Sequence, residues 1–215
     1  MTESRVRLFR REDRADLFRI AADTAFFGAP IETYFDDRRL FLDAFYSYYT
    51  DFEPEHCWVA EMSGPVVGFI TGCTDTRMHD VILQKQITPA VIRRVLRGKY
   101  GIGWKTLVYA LRLGVSDLKK EFSTVDVKLY PAHLHINVDE RARGLGLGRE
   151  LIETYLSQLC GLRIPGVHLM TTSQNAVACK LYEKMGFQKT DVRLTGLWRG
   201  IISEPVEMRT YTMRL

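Results

Sequence analysis

Three glycines at alternate positions, Gly144, Gly146 and Gly148, mark the junction of two periodicities in this chain. Before them, Ala132-His133-Leu134-His135-Ile136-Asn137-Val138 alternates as a pleated strand does. Leu134, Ile136 and Val138 face one way; His133, His135 and Asn137 face the other. After them, Leu147, Leu151, Ile152, Tyr155, Leu156 and Leu159 recur at helical spacing. A helix that starts here leaves amide N–H groups unpaired at its positive end, and glycine lets a ligand approach the main chain. The chemistry implied is anion binding, with a phosphate as the natural ligand. Two imidazoles, His133 and His135, share the polar face of the strand that leads into the turn, and imidazole is the side chain best poised to take a proton near neutral pH.

The spacing excludes two common phosphate sites. The dinucleotide pattern G-x-G-x-x-G fails from Gly144, where Arg149 takes the last position, and from Gly146, where Leu151 does. No Gly-Lys-Ser/Thr follows, so the P-loop pattern is missing too. Taken alone, the run is also compatible with an ordinary strand-to-helix turn. Arg143-Gly144-Leu145-Gly146-Leu147-Gly148 does fit [Q/R]-x-x-G-x-[G/A], with Arg143, Gly146 and Gly148 in the defining places. That pattern resembles the acetyl-CoA-binding motif of the GNAT N-acetyltransferase superfamily. Downstream, Asn175-Ala176-Val177-Ala178-Cys179-Lys180-Leu181-Tyr182-Glu183-Lys184-Met185-Gly186-Phe187 is similar at every position to the second signature of that superfamily, N-x-x-A-x-x-[LF]-Y-x-x-x-G-F. Within the superfamily, Tyr130-Pro131-Ala132-His133-Leu134-His135-Ile136 most resembles the acetyltransferase-like domain at the end of O-GlcNAcases and its free-standing microbial relatives. Some members of that branch are suspected of lacking catalysis.

The resemblance implies an α/β (α+β) GNAT fold: a mixed, mostly antiparallel twisted sheet of about six to seven strands, flanked by helices and splayed at the central strand. It implies acetyl-CoA as co-substrate, no metal, and direct transfer of the acetyl group to a primary amine in a ternary complex. The acceptor would be a small-molecule amine or a peptide lysine. The pantetheine arm would pair with the backbone at Ile136, Asn137 and Val138. The pyrophosphate would meet the amides of Arg143, Gly144, Leu145, Gly146, Leu147 and Gly148, with Arg149 beside them, and Asn175 would contact the pantetheine or a nearby water. Tyr182 is the implied acid: a phenol is protonated at neutral pH and can donate to the departing thiolate. His133 or His135 is the candidate base, directly or through water, in a family that often uses glutamate on that strand. Phe27, Tyr34 and Phe35 fall in the loop that borders the acceptor site in GNAT folds. The alternative reading is an acyl-CoA-binding module without turnover, left open because the strand carries no acidic base.

The elements that must position these residues are legible along the chain. Val6–Phe9 reads as a first strand, and Asp13 as the cap of a helix bearing Leu17, Ile20, Ala21 and Thr24. Asp36 and Asp37 open a second helix with Leu40, Phe41, Ala44, Phe45, Tyr48 and Tyr49 on one side. Cys57–Met62 and Val66–Gly72 form a hairpin turning at Ser63-Gly64-Pro65. A helical insertion spans about 77–123, with Thr88-Pro89 starting one helix, Gly98 closing it, and a second helix over Trp104–Leu113. The insertion is basic and reads as a solvated cap, as a lid over the acceptor site or a surface recognising an anionic substrate, or as a membrane-surface helix, although its charges form no single clean face. Gln188–Leu197 and Val206–Met213 supply the last two strands.

Composition bounds the rest. The 215 residues, 46% hydrophobic and 26% charged, suit one domain with a real core. A net charge of +4 favours anionic ligands but is too mild for nucleic acid. Cys57, Cys73, Cys160 and Cys179 are far apart and read as reduced thiols. A polar N-terminus without a signal sequence, and no apolar run of membrane-spanning length, point to a cytoplasmic protein, with the nucleus not excluded and a homodimer possible.

Overall fold

The alternating segments pair into one sheet. The computed structural model describes residues 4–215. Its strands are β1 (Ser4–Leu8), β2 (Cys57–Met62), β3 (Val66–Cys73), β4 (Ala132–Val138), β5 (Gly166–Thr172), β6 (Gln188–Thr195) and β7 (Val206–Arg214). They hydrogen-bond in the order β1-β2-β3-β4-β5-β7-β6. Every neighbouring pair is antiparallel except β4 and β5. The helices are α1 (Arg14–Thr24), α2 (Arg38–Phe45), α3 (Ser47–Asp51), α4 (Thr76–Ile82), α5 (Thr88–Leu96), α6 (Trp104–Leu118), α7 (Leu147–Gly161) and α8 (Ala176–Lys184). The mixed, mostly antiparallel sheet flanked by helices is the fold class that the sequence predicts.

The strand period sends alternate side chains into two cores. Phe69 of β3 joins Leu17, Ile20, Tyr48 and Tyr49 on the α1–α3 side. Its neighbour Ile70 joins Leu134, Leu151, Ile152 and Tyr155 on the α7 side. Several of these side chains are fully buried, and each contributes on the order of 2 kcal/mol through burial. A Cβ on Gly72 would fall 2.2 Å from the Tyr155 ring, so this glycine makes room for α7 to lie close against β3. From there the Tyr155 hydroxyl reaches the carbonyls of Cys73 (3.0 Å) and His133 (3.1 Å).

Five local expectations change. Asp13 does not cap α1; its carboxylate takes the Arg7 guanidinium at 2.7 and 2.8 Å and the Arg10 amide at 2.7 Å. The second helix breaks at Tyr46 (φ −116, ψ −19) into α2 and α3, while Asp37 caps α2 through the Arg39 amide as expected. The insertion holds three helices instead of two. Thr88 is not a cap, because α4 runs into α5 through a π turn at Leu83–Ile87. Proline inside a helix removes one amide and crowds the carbonyl four residues back, and the wider turn relieves that crowding before Pro89. The third helix, α6, continues to Leu118, five residues beyond the predicted end.

Candidate active site

β4 and β5 part company almost at once. Their parallel pairing covers only Ala132 with Val167 and His133 with His168, while β4 stays paired to β3 as far as Val138. Beyond His133 the β5-facing edge of β4 is open. The Asp139 amide donates to the Val67 carbonyl on β3, so Asn137 and His135, two and four residues back, use their main-chain groups on β3 as well. By the alternation of an antiparallel ladder, Ile136 and Val138 therefore turn theirs toward the gap. The Val138 carbonyl is met there by Arg143 Nε at 3.3 Å.

The glycine turn closes the end of this gap. Gly144 (φ +79) and Gly146 (φ +84) adopt left-handed backbone that other residues resist, and Gly146 directly precedes α7. No atom lies within 4 Å of where a Cβ would stand at either position, so the turn is open on that side. The amides of Gly144, Leu145, Gly146, Leu147 and Gly148 have no acceptor among the described residues, whereas those of Arg149 and Glu150 already bond the Gly146 carbonyl. Five free N–H groups at the positive end of a fifteen-residue helix form an anion cradle made of main chain. Arg143 directly precedes it in the chain. Its guanidinium bridges the Val138 carbonyl and, at 3.2 Å, the Gly28 carbonyl, tying the α1–α2 loop to the turn. Arg149 is exposed one residue beyond the cradle and lies 3.6 Å from Glu153.

On the α1–α3 side, the polar side chains of β4 meet tyrosines. Asn137 accepts from the Tyr46 hydroxyl at 3.2 Å and donates to Thr24 Oγ1 at 2.7 Å, so it fastens the end of α1 and the α2–α3 break to the strand. His133 is buried with both nitrogens engaged. The Tyr49 hydroxyl is 2.7 Å from Nε2, and Nδ1 is 2.9 Å from Thr76 Oγ1, which itself donates to the Pro131 carbonyl. One tautomer satisfies the whole chain: Tyr49 donates to Nε2, and Nδ1–H donates to Thr76. Burial, with His135, His79 and His168 close by, pushes the His133 pKa well down and keeps the ring neutral. His135 differs. Its ring reaches solvent yet stands among protein, 5.4 Å from Tyr49 and 6.1 Å from Tyr46 between ring centres. The crowding protein, then His79 and His168, lower its pKa to about 4, so it too is neutral at pH 7. The carboxylate that enters this cluster, Glu53, is taken by the Tyr48 hydroxyl at 2.6 Å and the Thr74 amide at 3.1 Å.

Tyr182 comes from α8 on the opposite face. It packs against Phe187 and Tyr211 in the core that also takes Ile136 and Val138. Burial, with a smaller contribution from Cys179, raises its pKa, and its hydroxyl bonds no other group among the described residues. Asn175 precedes α8 without a side-chain cap; it donates to Thr171 Oγ1 at 3.0 Å, and Gly186 (φ +94) ends the segment. In the α1–α2 loop, Tyr34 and Phe35 are buried against Tyr109 of α6, with centres 4.7 and 5.5 Å apart. Phe27 is half-buried, has φ of 51, and lies edge-on to Trp198 at 5.1 Å. The structure thus brings together the β4 edge, the glycine turn, Arg143 and Phe27's loop, and keeps Tyr34 and Phe35 in the core. Tyr46, Tyr49 and Thr24, which line the polar face of β4, carry no sign of a site role in the sequence because only the fold makes them neighbours. A hollow of about 590 Å³ between Trp58 and the outer side of α7 lies away from the parted strands.

Residues 108–189 match the family described as Acetyltransferase (GNAT) domain. The whole chain aligns with the crystal structure of SsHAT at a TM-score of 0.75 and 26% identity, covering 99% of this chain and 98% of that one. Residues 108–189 thus carry the likeness to the GNAT acetyltransferase domain in sequence, and the chain shares that fold over its length. Its fold is shared by yncA of Salmonella typhimurium, solved with its cofactor acetyl-CoA (TM-score 0.59, 16% identity, 99% and 94% covered). Mycothiol acetyltransferase of Acidothermus cellulolyticus is 46% identical over 59 residues, which are 26% of this chain and 18% of that protein. The chain therefore matches less than a fifth of the length of this curated relative.

Proposed function

We propose that this GNAT domain is an acetyl-CoA-dependent N-acetyltransferase that delivers the acetyl group directly to a primary amine, on a small molecule or a lysine side chain. The observation that carries the reading is the open main-chain edge of Ile136 and Val138 running into five free amides at Gly144–Gly148. The first can pair with an extended amide-bearing arm as a further strand would; the second suits a diphosphate. Acetyl-CoA supplies both, together with a thioester for an amine to attack.

The residues of the chain then divide the work. Tyr182, protonated and without a protein partner, is the group available to give a proton to the departing thiolate. His135 is the imidazole of β4 that reaches solvent, and through water it takes the proton that the nitrogen sheds after attacking the thioester, when that nitrogen has become far more acidic than an ammonium ion. His133, with both nitrogens satisfied, positions Tyr49 and Thr76 and takes no proton. With its pKa near 4, His135 is unprotonated throughout the working range, so the acid limb of a pH–rate profile reports deprotonation of the amine itself. The cleft's aromatic and neutral imidazole surface favours the uncharged amine over the ammonium ion.

A second reading, an acyl-CoA-binding module without turnover, draws on one observation: Glu53 is fully engaged and both β4 imidazoles are poor bases. Acetyl transfer to a panel of primary amines, with Tyr182→Phe alongside, separates the two. The transferase reading expects transfer by the natural chain and a fall in kcat of about 10² or more in the variant, with little change in KM for acetyl-CoA. Transfer undiminished in Tyr182→Phe removes this tyrosine from the mechanism, and acetyl-CoA binding without transfer to any amine supports the second reading.

A further inference from the structure

The insertion carries a surface that acetyl transfer does not use. Its inner side is accounted for: Tyr109 packs on Tyr34 and Phe35, Thr106 and Ser116 are buried, and Leu113 joins Leu197 and Trp198. The outer side of α6 is an apolar ridge with nothing on it. Trp104 is 78% exposed, Leu107 54%, Leu111 69%, Val115 41% and Leu118 84%. At 100° per residue these five occupy an arc of about 80°, and fifteen residues make the ridge about 22 Å long.

Two features say what covers it. The residue after each of Trp104, Leu111 and Leu118 is basic: Lys105, Arg112 and Lys119. Spaced by seven, they form a basic rail parallel to the apolar ridge, about 100° round the helix, with Lys120 continuing past its end. Lys105 keeps one bond, from Nζ to the Glu32 carbonyl at 2.7 Å, and Arg112 reaches toward Gly200; none of the four has an acidic partner among the described residues. Charge is also segregated over the whole chain. Residues 77–123 hold ten lysines and arginines against three acidic residues, a net +7, while the chain totals +4, leaving −3 for the rest. A second copy of the chain fits the ridge poorly. In a two-fold antiparallel pairing about Leu111, each flank faces itself, so Arg112 would meet Arg112 and Lys105 would meet Lys119.

We infer that α6 docks the protein on an anionic phospholipid surface, with Trp104, Leu107, Leu111, Val115 and Leu118 entering the headgroup–acyl boundary and Lys105, Arg112 and Lys119 meeting lipid phosphates. An apolar face with tryptophan at one end and cations along its flank is what such an interface rewards. No helix among the described residues is long and apolar enough to cross a membrane, so the attachment is peripheral.

The test is flotation with vesicles of phosphatidylcholine, alone and with about 30% phosphatidylglycerol, at low and high salt, followed in parallel by tryptophan fluorescence. The expected result is binding to the anionic vesicles only, released by salt, with a blue shift that Trp104→Phe abolishes. Leu111→Glu, and separately the triple variant Lys105→Glu/Arg112→Glu/Lys119→Glu, should each weaken binding by more than about tenfold while circular dichroism and melting temperature stay those of the natural chain. Leu111→Glu changes an exposed position and leaves the Lys105 and Arg112 contacts in place, and either variant folding normally suffices to read the result. Failure to bind anionic vesicles, or equal binding to neutral ones, overturns the inference. So does a dimer in sedimentation velocity that Leu111→Glu dissolves without any vesicle binding, which would assign the ridge to a second copy.

Discussion

The glycine turn before α7 and the outer ridge of α6 are both unpartnered, but for opposite reasons. At the turn, what is free is main chain: five amides at Gly144–Gly148 whose direction is fixed by left-handed backbone at Gly144 and Gly146. On α6, what is free is side chain, apolar and basic, carried on a regular helix that any residue with helical propensity could form. A main-chain site constrains residue types at fixed spacing and so leaves a signature. A side-chain surface leaves only an amphipathic period, which a buried face produces equally well.

The largest effect that separates the two regions comes from Gly146→Val. A β-branched residue at φ +84 costs about 1–2 kcal/mol or more in strain, and the turn relieves it by moving its amides. Affinity for CoA should fall by about tenfold or more in calorimetry. A variant that binds CoA as the natural chain does would break the contrast, because side chains would then be holding the diphosphate.

A smaller effect sharpens the contrast with the histidine-bearing face of β4. Burial lowers the pKa values of His133, His135 and His168, and neighbouring imidazoles lower the first two further. Below pH 6.5 the unfolded chain binds protons that the folded chain refuses, so stability present at pH 7 is lost as pH falls from 6.5 toward 4. Carboxylates such as Asp37, held down to about 2 by Arg39 and the Gly101 and Arg39 amides, act in a separate window below pH 4. Melting temperature measured between pH 7.5 and 4.5 should drop by several degrees, less so in His168→Asn; a flat profile would mean that these imidazoles charge freely in the fold.

The same distinction explains how much was legible in the sequence. The strand at Ala132–Val138, the glycine turn, the helix after it and the closing Gly186 all obey local rules, and the structure keeps each of them. Tyr49 reads only as part of an apolar helix face and Tyr46 falls outside that face, since nothing local says that a break at Tyr46 will hand its hydroxyl to Asn137, ninety-one residues away. Pro89 looked like a helix start because propensity places proline at first turns; a π turn that absorbs it within a longer helix has no sequence mark of its own. The rail of Lys105, Arg112 and Lys119 has no mark of its own among the ten basic residues of the insertion; it exists because α6 runs unbroken to Leu118.

The most direct test of the central claim is amide NMR of the protein during titration with CoA. The account predicts that the Gly144, Gly146 and Gly148 amide resonances shift together and saturate with the binding isotherm, while Gly98 and Gly114 in the insertion stay fixed. Saturable CoA binding that leaves those three glycines unmoved would contradict it.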